Sequence, residues 1–429
     1  MSMQNRTSIS SRTGLNSNQI KALQDLLDVD RRGKVVDAPG DGTYDDMNPL
    51  AKVGEDLTER FTQGFEVGSF RVHFLLLDSE KSNAYAYWMK SFEAVCMTTT
   101  MAREIDALCG DLANHLVQHP GESGGFAYIH EVPISSNLRE ASLKSLLVQG
   151  AMAFLVGHEV GHLAAGHKPL FLKKTSVAGA MAENRKVTDV AVDQFVATAA
   201  TDYCDEGGHS LRFNAHEVDA DVQGVAFAAA HWLAIQSEVS TSAHLPDSAD
   251  LIRAACANPS RLLLLASTGM AVSFSLMGFK QWGNDWNSQP THPLTAVRCV
   301  VGLGVLDNLL DDNVPQGSPL ELGPDCLEGL SLVHSRLGSI LLDAARSDGQ
   351  YSEFARKLED TLENDRLNLM FHGTGVAQAV QKSSEVASYL ADLSAEFNAC
   401  AQQRALALRV PLASLVPWSV SHRHGNAQG

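Results

Sequence analysis

The stretch FLVGHEVGHLAAGH, residues 154–167, carries three histidines and a glutamate inside a run that otherwise has the residues of a buried helix. His158 and His162 are four residues apart, so on an α-helix their side chains lie on one face, about one turn apart. Two imidazoles at this spacing can bind one metal ion, and Glu159 can reach water in the open position of that ion. The HExxH pattern therefore predicts a zinc site with two histidine ligands and a glutamate general base.

Two other positions in this part of the chain limit the kind of zinc site. The longer pattern HExxHxxGxxH requires glycine and histidine three and six residues past the second histidine, where this chain has Ala165 and Lys168. His167 is five residues past His162, which turns it away from the ligand face of a helix, so we expect it in a loop or at the helix end. The third ligand must come from another part of the chain.

The best candidate for the third ligand lies in FNAHEVDADVQGVAFAAAHW, residues 213–232. Glu217 and Asp221 are four residues apart on an alanine-rich helix, and two carboxylates on an apolar face need a positive partner. Glu217 would bind the metal, and Asp221 would accept a hydrogen bond from a ligand histidine. Three alternatives stay open: His216 as the ligand, exchanged roles for the two carboxylates, or a solvated helix start without metal.

At this point the chain resembles gluzincin metallopeptidases of the CAAX-prenyl-protease and membrane heat-shock-protease group. In that family an HExxH helix is followed some 55 residues later by ExxAD. The family also has an NAFA-like strand before the histidine helix and an (S/T)HPxxxxR sequence after the third ligand. The matching stretches here are SNAYAYW at 82–88 and THPLTAVR at 291–298. A weaker resemblance links the chain to the phage-exclusion protease family, whose members cleave a host translation factor.

The gluzincin resemblance implies a role for each matching residue. It implies one Zn²⁺ per chain, bound by His158, His162 and Glu217. Glu159 would be the general base, and Asp221 would accept a hydrogen bond from a ligand histidine. It also implies an edge strand to which a peptide substrate adds through main-chain hydrogen bonds, formed by Asn83, Ala84, Tyr85 and Ala86. His292 and Arg298 would shape the far wall of the site, with His292 donating to the oxyanion, unless it is only a turn histidine fixed by Pro293. The lesser candidates for this donor are His231 and His209.

Composition excludes some partners and indicates a compartment. The net charge of −17 argues against nucleic acid and against anionic membrane surfaces. Seven scattered cysteines without a CxxC pair, and no apolar leader at the N-terminus, favour the cytoplasm. Residues 262–279 are 18 uncharged positions, which predict a buried core helix. The alternative for this segment is a membrane span, and the protein would then be membrane-associated.

The expected fold is α+β and mostly helical, with a gluzincin core. A strand at 69–79 and extended chain up to residue 100 predict a small antiparallel-type edge sheet, and helices follow from Met101 onward, including 183–205 and 213–237. We divide the chain into a polar lead segment (1–60), a zinc metallopeptidase domain (61–312) and a helical accessory domain with a frayed tail (313–429). The membrane members of the family have several spans, and the C-terminal part of this chain lies outside the resemblance.

These observations predict a zinc-dependent endopeptidase acting on a protein or peptide substrate. A second hypothesis is a catalytically silent module of the same fold, in which zinc stabilises a binding or regulatory surface. A third is an all-helical interaction protein whose histidines are incidental. The sequence does not name a substrate or an oligomeric state.

Overall fold

The N-terminal elements form a small sheet covered by helices on both faces. The computed structural model describes residues 14–36, 42–62, 72–89, 91–164, 211–241 and 249–279. In chain order its first elements are α1 (Ser17–Asp30), β1 (Lys34–Val36), α2 (Gly42–Thr62), β2 (Val72–Asp78), β3 (Ala84–Trp88), β4 (Glu93–Thr98) and α3 (Thr99–Gln118).

The sheet is mixed, which corrects the expected antiparallel type. Its strand order is β1-β2-β4-β3, and the pair β2–β4 is parallel while the pairs β1–β2 and β3–β4 are antiparallel. The chain leaves β2, forms β3 at the edge and returns through β4 into the middle. Within the described strands β3 therefore has a neighbour on one side only. Apolar alternation identifies strands but does not specify their order, so the sequence could not give this arrangement.

Alternate side chains of the sheet enter two separate clusters. One face, with Leu77, Tyr85 and Cys96, packs on α1, and the other, with Ala86 and Val95, belongs to the larger core that α2, α3 and α4 also enter. Because both faces are covered, the strands are apolar at nearly every position.

The first 60 residues contain structure despite their polar composition. Helix α1 begins with a capping box in which the Asn16 side chain accepts from the Gln19 amide at 3.0 Å and the Gln19 side chain accepts from the Asn16 amide at 2.9 Å. Leu23 and Leu27 of α1 and Leu57 of α2 are buried. The apolar positions are few, but their helical spacing places them on the faces that meet the sheet.

Helix α4 is the centre of the remaining fold. After two short 3-10 helices (Pro120–Glu122 and Gly124–Glu131), the chain forms α4 (Ser136–Ala164), α5 (Leu211–Thr241), α6 (Asp250–Cys256) and α7 (Pro259–Phe279). All residues from 150 to 163 are buried, as expected for a helix with neighbours on every side. These neighbours include α2, α3, α5, α7 and β3.

Helix α7 contains the uncharged segment 262–279. Leu262, Leu265 and Met270 are buried and belong to the larger core, so this helix packs inside the protein. Among the described residues, none of the helices combines the length and the apolar character that a membrane crossing requires. The predicted helix 183–205 and the predicted accessory domain 313–429 lie outside the described residues. For the remainder, the expectation of a mostly helical α+β fold is confirmed.

Candidate metal centre

Helix α4 brings the two predicted histidine ligands together. The Nε2 atoms of His158 and His162 lie 3.2 Å apart. Both side chains are almost completely buried, with residue exposures of 4% and 1%. One helical turn separates the two residues, so the helix itself fixes this proximity.

Helix α5 supplies the third donor group. Oε2 of Glu217 lies 3.5 Å from Nε2 of His158, and Oε1 lies 3.5 Å from Nε2 of His162. Each of the three residues offers a ligand atom within 4.8 Å of the other two. In the part of the chain that the structure describes, this is the one such group, and it contains Glu217 rather than the neighbouring His216.

The spacing of these atoms fits a tetrahedral metal ion. Zinc binds nitrogen and carboxylate oxygen at about 2.0–2.2 Å, so its ligand atoms lie about 3.3–3.5 Å from one another. The separations of 3.2, 3.5 and 3.5 Å between the ring nitrogens and the Glu217 oxygens agree with this geometry. The residues present can therefore hold a metal ion, and the donor set is one that zinc accepts.

Asp221 contacts the ring nitrogen of His158 that faces away from the other two ligands. Its Oδ1 lies 2.9 Å from Nδ1 of His158, and the carboxylate is fully buried. A proton held on Nδ1 leaves the lone pair of Nε2 directed at the metal position. Burial alone lowers the pKa of His158, but the carboxylates of Asp221 and Glu217 outweigh burial and raise this pKa to about 10. A metal ion would have to displace the extra proton from the imidazole.

Glu159 follows His158 on the same helix and is also buried, with 6% of its surface exposed. Its charge acts on Cys96 of β4: burial raises the pKa of that thiol, and Glu159 raises it further. Glu159 is therefore within electrostatic range of the sheet as well as next to the metal ligands.

No protein-family model, curated protein or solved structure matches the chain.

The predicted edge strand is present as β3, which pairs with β4 and is the last strand of the sheet among the described strands. Ala84 and Ala86 share the sheet face that packs toward α4. Tyr85 lies on the opposite face, where the guanidinium carbon of Arg32 is 4.3 Å from the centre of the Tyr85 ring. Asn83 precedes the strand, and its carbonyl accepts from the Thr98 amide at 2.9 Å. All residues of β3 are buried. That a peptide adds to this strand stays a prediction.

The structure leaves several predicted positions undescribed. The motif residues His292 and Arg298, and the further candidates His167 and His209, lie outside the described residues. His231 is described, but it is not near the metal ligands. It follows Glu217 by 14 residues on α5, or about 21 Å along the helix axis, and cannot donate to an oxyanion there.

His231 instead makes folding sensitive to acid. It is buried with its ring in edge contact with Phe61, and burial, followed by the charge of Arg60, lowers its pKa from 6.5 to about 4. Arg60 also pairs with Glu238 at 3.0 Å. Because the unfolded chain binds this proton more readily, the stability that a neutral His231 contributes is complete above pH 6.5 and is lost as pH falls toward 4.

We expect the free energy of unfolding to fall by about 2 kcal/mol between pH 7 and pH 5 because of this one residue. Urea unfolding at both pH values measures the effect. In a His231→Leu variant that part of the pH dependence should disappear, while acid effects from other groups remain. An unchanged pH dependence in the variant would contradict this account.

Sequence reasoning missed the glycines that let the two ligand helices meet. Gly157 and Gly161 directly precede the two ligand histidines, and Gly224 lies opposite them on α5. A glycine inside a helix costs about 1 kcal/mol relative to alanine, so three in this short region are a signal of close packing. That signal was present in the sequence, although it did not identify the partner helix.

Proposed function

We propose that the protein is a zinc-dependent endopeptidase. The observation that carries the proposal is the convergence of His158, His162 and Glu217 within 4.8 Å in a buried site, with Glu159 adjacent. A group of this kind provides three ligands and leaves a fourth position open, which is the arrangement of catalytic rather than structural zinc.

A zinc ion bound there would act as a Lewis acid and lower the pKa of its water to about 7. The residues of the chain have separate tasks around it. Asp221 keeps His158 in the tautomer that presents Nε2, at a contact of 2.9 Å to Nδ1. Glu217 spans both histidines with its two oxygens and contributes the negative charge of the donor set.

Glu159 is the general base in this proposal. It accepts a proton from the attacking water and later donates it to the amine that leaves when the peptide bond breaks. Its burial supports this role because a carboxylate in a dry site exchanges protons with its immediate neighbours rather than with bulk solvent.

The substrate in this proposal is a peptide in extended conformation. Strand β3 has one strand neighbour among the described elements, and a peptide could pair with its other side. On the face toward α4 the strand carries the small side chains of Ala84 and Ala86. The proposed far wall, with His292 and Arg298, rests on the resemblance alone.

Metal analysis and cleavage assays test the proposal together. We expect about one zinc ion per chain in the purified protein, and cleavage that a chelator abolishes and added zinc restores. Mapping of new N-termini in a proteome treated with the metal-loaded protein would define the substrates. A protein that takes up no zinc would contradict the proposal, and zinc uptake without any new termini would favour the silent binding module.

A further inference from the structure

Helices α4 and α5 touch backbone to backbone beside the metal ligands. A Cβ atom at Gly157 would lie 3.0 Å from Cβ of Phe227 and 3.1 Å from the carbonyl oxygen of Gly224. One turn later, a Cβ atom at Gly161 would lie 3.1 Å from the carbonyl oxygen of Ala220. Side chains larger than hydrogen at these positions would push the helices apart.

The contact is reciprocal and involves the backbone of a ligand residue. A Cβ atom at Gly224 would lie 3.0 Å from the amide nitrogen of His158 and 3.2 Å from its Cα. On α5, Gly224 follows Asp221 by three residues and Glu217 by seven, so all three lie near one face of the helix. The surface that carries the acidic ligand is therefore the surface that rests on α4.

The distance between the helices determines whether the ligand atoms converge. His158 and His162 project from α4 and Glu217 from α5, and the length of each side chain is fixed. At the present spacing the two Glu217 oxygens lie 3.5 Å from the two ring nitrogens. Metal–ligand distances in well-formed sites vary by only about 0.2 Å, so a displacement of a few tenths of an ångström would weaken the bond between Glu217 and the ion.

We propose that Gly157, Gly161 and Gly224 are positioning residues of the metal centre, which set the spacing between α4 and α5 at which Glu217 completes the ligand set. None of them touches the ion or a substrate. The inference rests on the proposed function in one respect, that zinc binds His158, His162 and Glu217.

A matched pair of alanine variants separates positioning from packing. Gly150 lies on the same helix α4, and its Cβ atom would meet the carbonyl oxygen of Leu265 at 3.0 Å, the same closest distance as at Gly224. Gly150 is about 12 Å from His158 along the helix axis. It contacts α7 and, at 3.7 Å, the Trp232 ring of α5, rather than the acidic ligand. Both Gly150→Ala and Gly224→Ala therefore introduce a closest contact of 3.0 Å between helices, but only Gly224→Ala does so against the backbone of a metal ligand.

Zinc affinity of the full chain, measured by competition with a chromophoric chelator, is the deciding readout. We expect Gly224→Ala to weaken zinc binding by about 10-fold to 100-fold, the loss usual when groups that hold ligands in place are changed. Gly150→Ala should keep the affinity of the wild type, and thermal unfolding of the chelator-treated proteins should show a loss of stability in both variants. Wild-type affinity in Gly224→Ala, or an equal loss in Gly150→Ala, would overturn the inference.

A second pair keeps the inference testable if Gly224→Ala does not fold. A Cβ atom at Gly161 would lie 2.8 Å from Cβ of Gln223, so Gly161→Ala should weaken zinc binding and the added change Gln223→Gly should restore part of it. Wild-type zinc affinity in Gly161→Ala would overturn the inference. Wild-type protein without zinc uptake would overturn the proposed function itself, whereas zinc-binding wild type with unaffected glycine variants overturns only the positioning role.

Discussion

Glu159→Gln is expected to lower the rate of peptide cleavage by about 100-fold to 10,000-fold while the protein still binds one zinc ion. General bases contribute rate enhancements of this size, and glutamine has the shape of glutamate but cannot accept the proton. Glu159 is not one of the three groups that converge on the metal position, so zinc content should not change. Single-turnover cleavage of a mapped substrate and metal analysis of the same sample measure the two quantities.

Glu140→Gln is the control for this experiment. It makes the same substitution on α4, about 28 Å from Glu159 along the helix axis, and should leave both quantities unchanged. If Glu159→Gln cleaves at the wild-type rate, the mechanism is wrong. If neither variant nor wild type cleaves any peptide but all bind zinc, the silent module becomes the better hypothesis.

Among substitutions of the carboxylates on α5, Glu217→Ala should weaken zinc binding the most. It removes the acidic ligand from a set of three, and we expect zinc affinity to fall by more than about 100-fold. Asp221→Asn should fall between this variant and the wild type, with a loss of about 10-fold to 100-fold, because it only weakens the support of His158.

The order of these losses distinguishes the two carboxylates. Glu238→Ala, on the same helix, removes only a surface pair with Arg60 and should keep wild-type affinity. A larger loss in Asp221→Asn than in Glu217→Ala would mean that their roles are exchanged, which the sequence alone left open. Full affinity in Glu217→Ala would exclude it as a ligand.

The candidate site was largely predictable because it depends on local periodicity. The spacing of four residues between His158 and His162, and between Glu217 and Asp221, fixes which side chains share a helix face. Metal chemistry then requires the two faces to meet, and in the structure they do. The contributions of His292 and Arg298 stay predictions because they lie outside the described residues.

The fold was less predictable where it depends on contacts between distant residues. The parallel pairing of β2 with β4 places a later strand between two earlier ones, and side-chain alternation carries no information about that order. In the first 60 residues, buried leucines such as Leu23 and Leu57 are diluted by charged neighbours. The polar average composition of this segment therefore gave no indication of its two amphipathic helices.

The ligands of the candidate centre come from two helices, so a bound ion would also be a cross-link. An ion that binds only the folded chain raises the free energy of unfolding, and the increase grows with the concentration of free ion. The increase is about 4 kcal/mol when the free ion concentration is 1,000 times the dissociation constant. Without the ion, α4 and α5 are held together beside buried carboxylates and imidazoles. Cellular zinc supply would then regulate the lifetime of the protein as well as its chemistry, because chains without metal unfold and are degraded first.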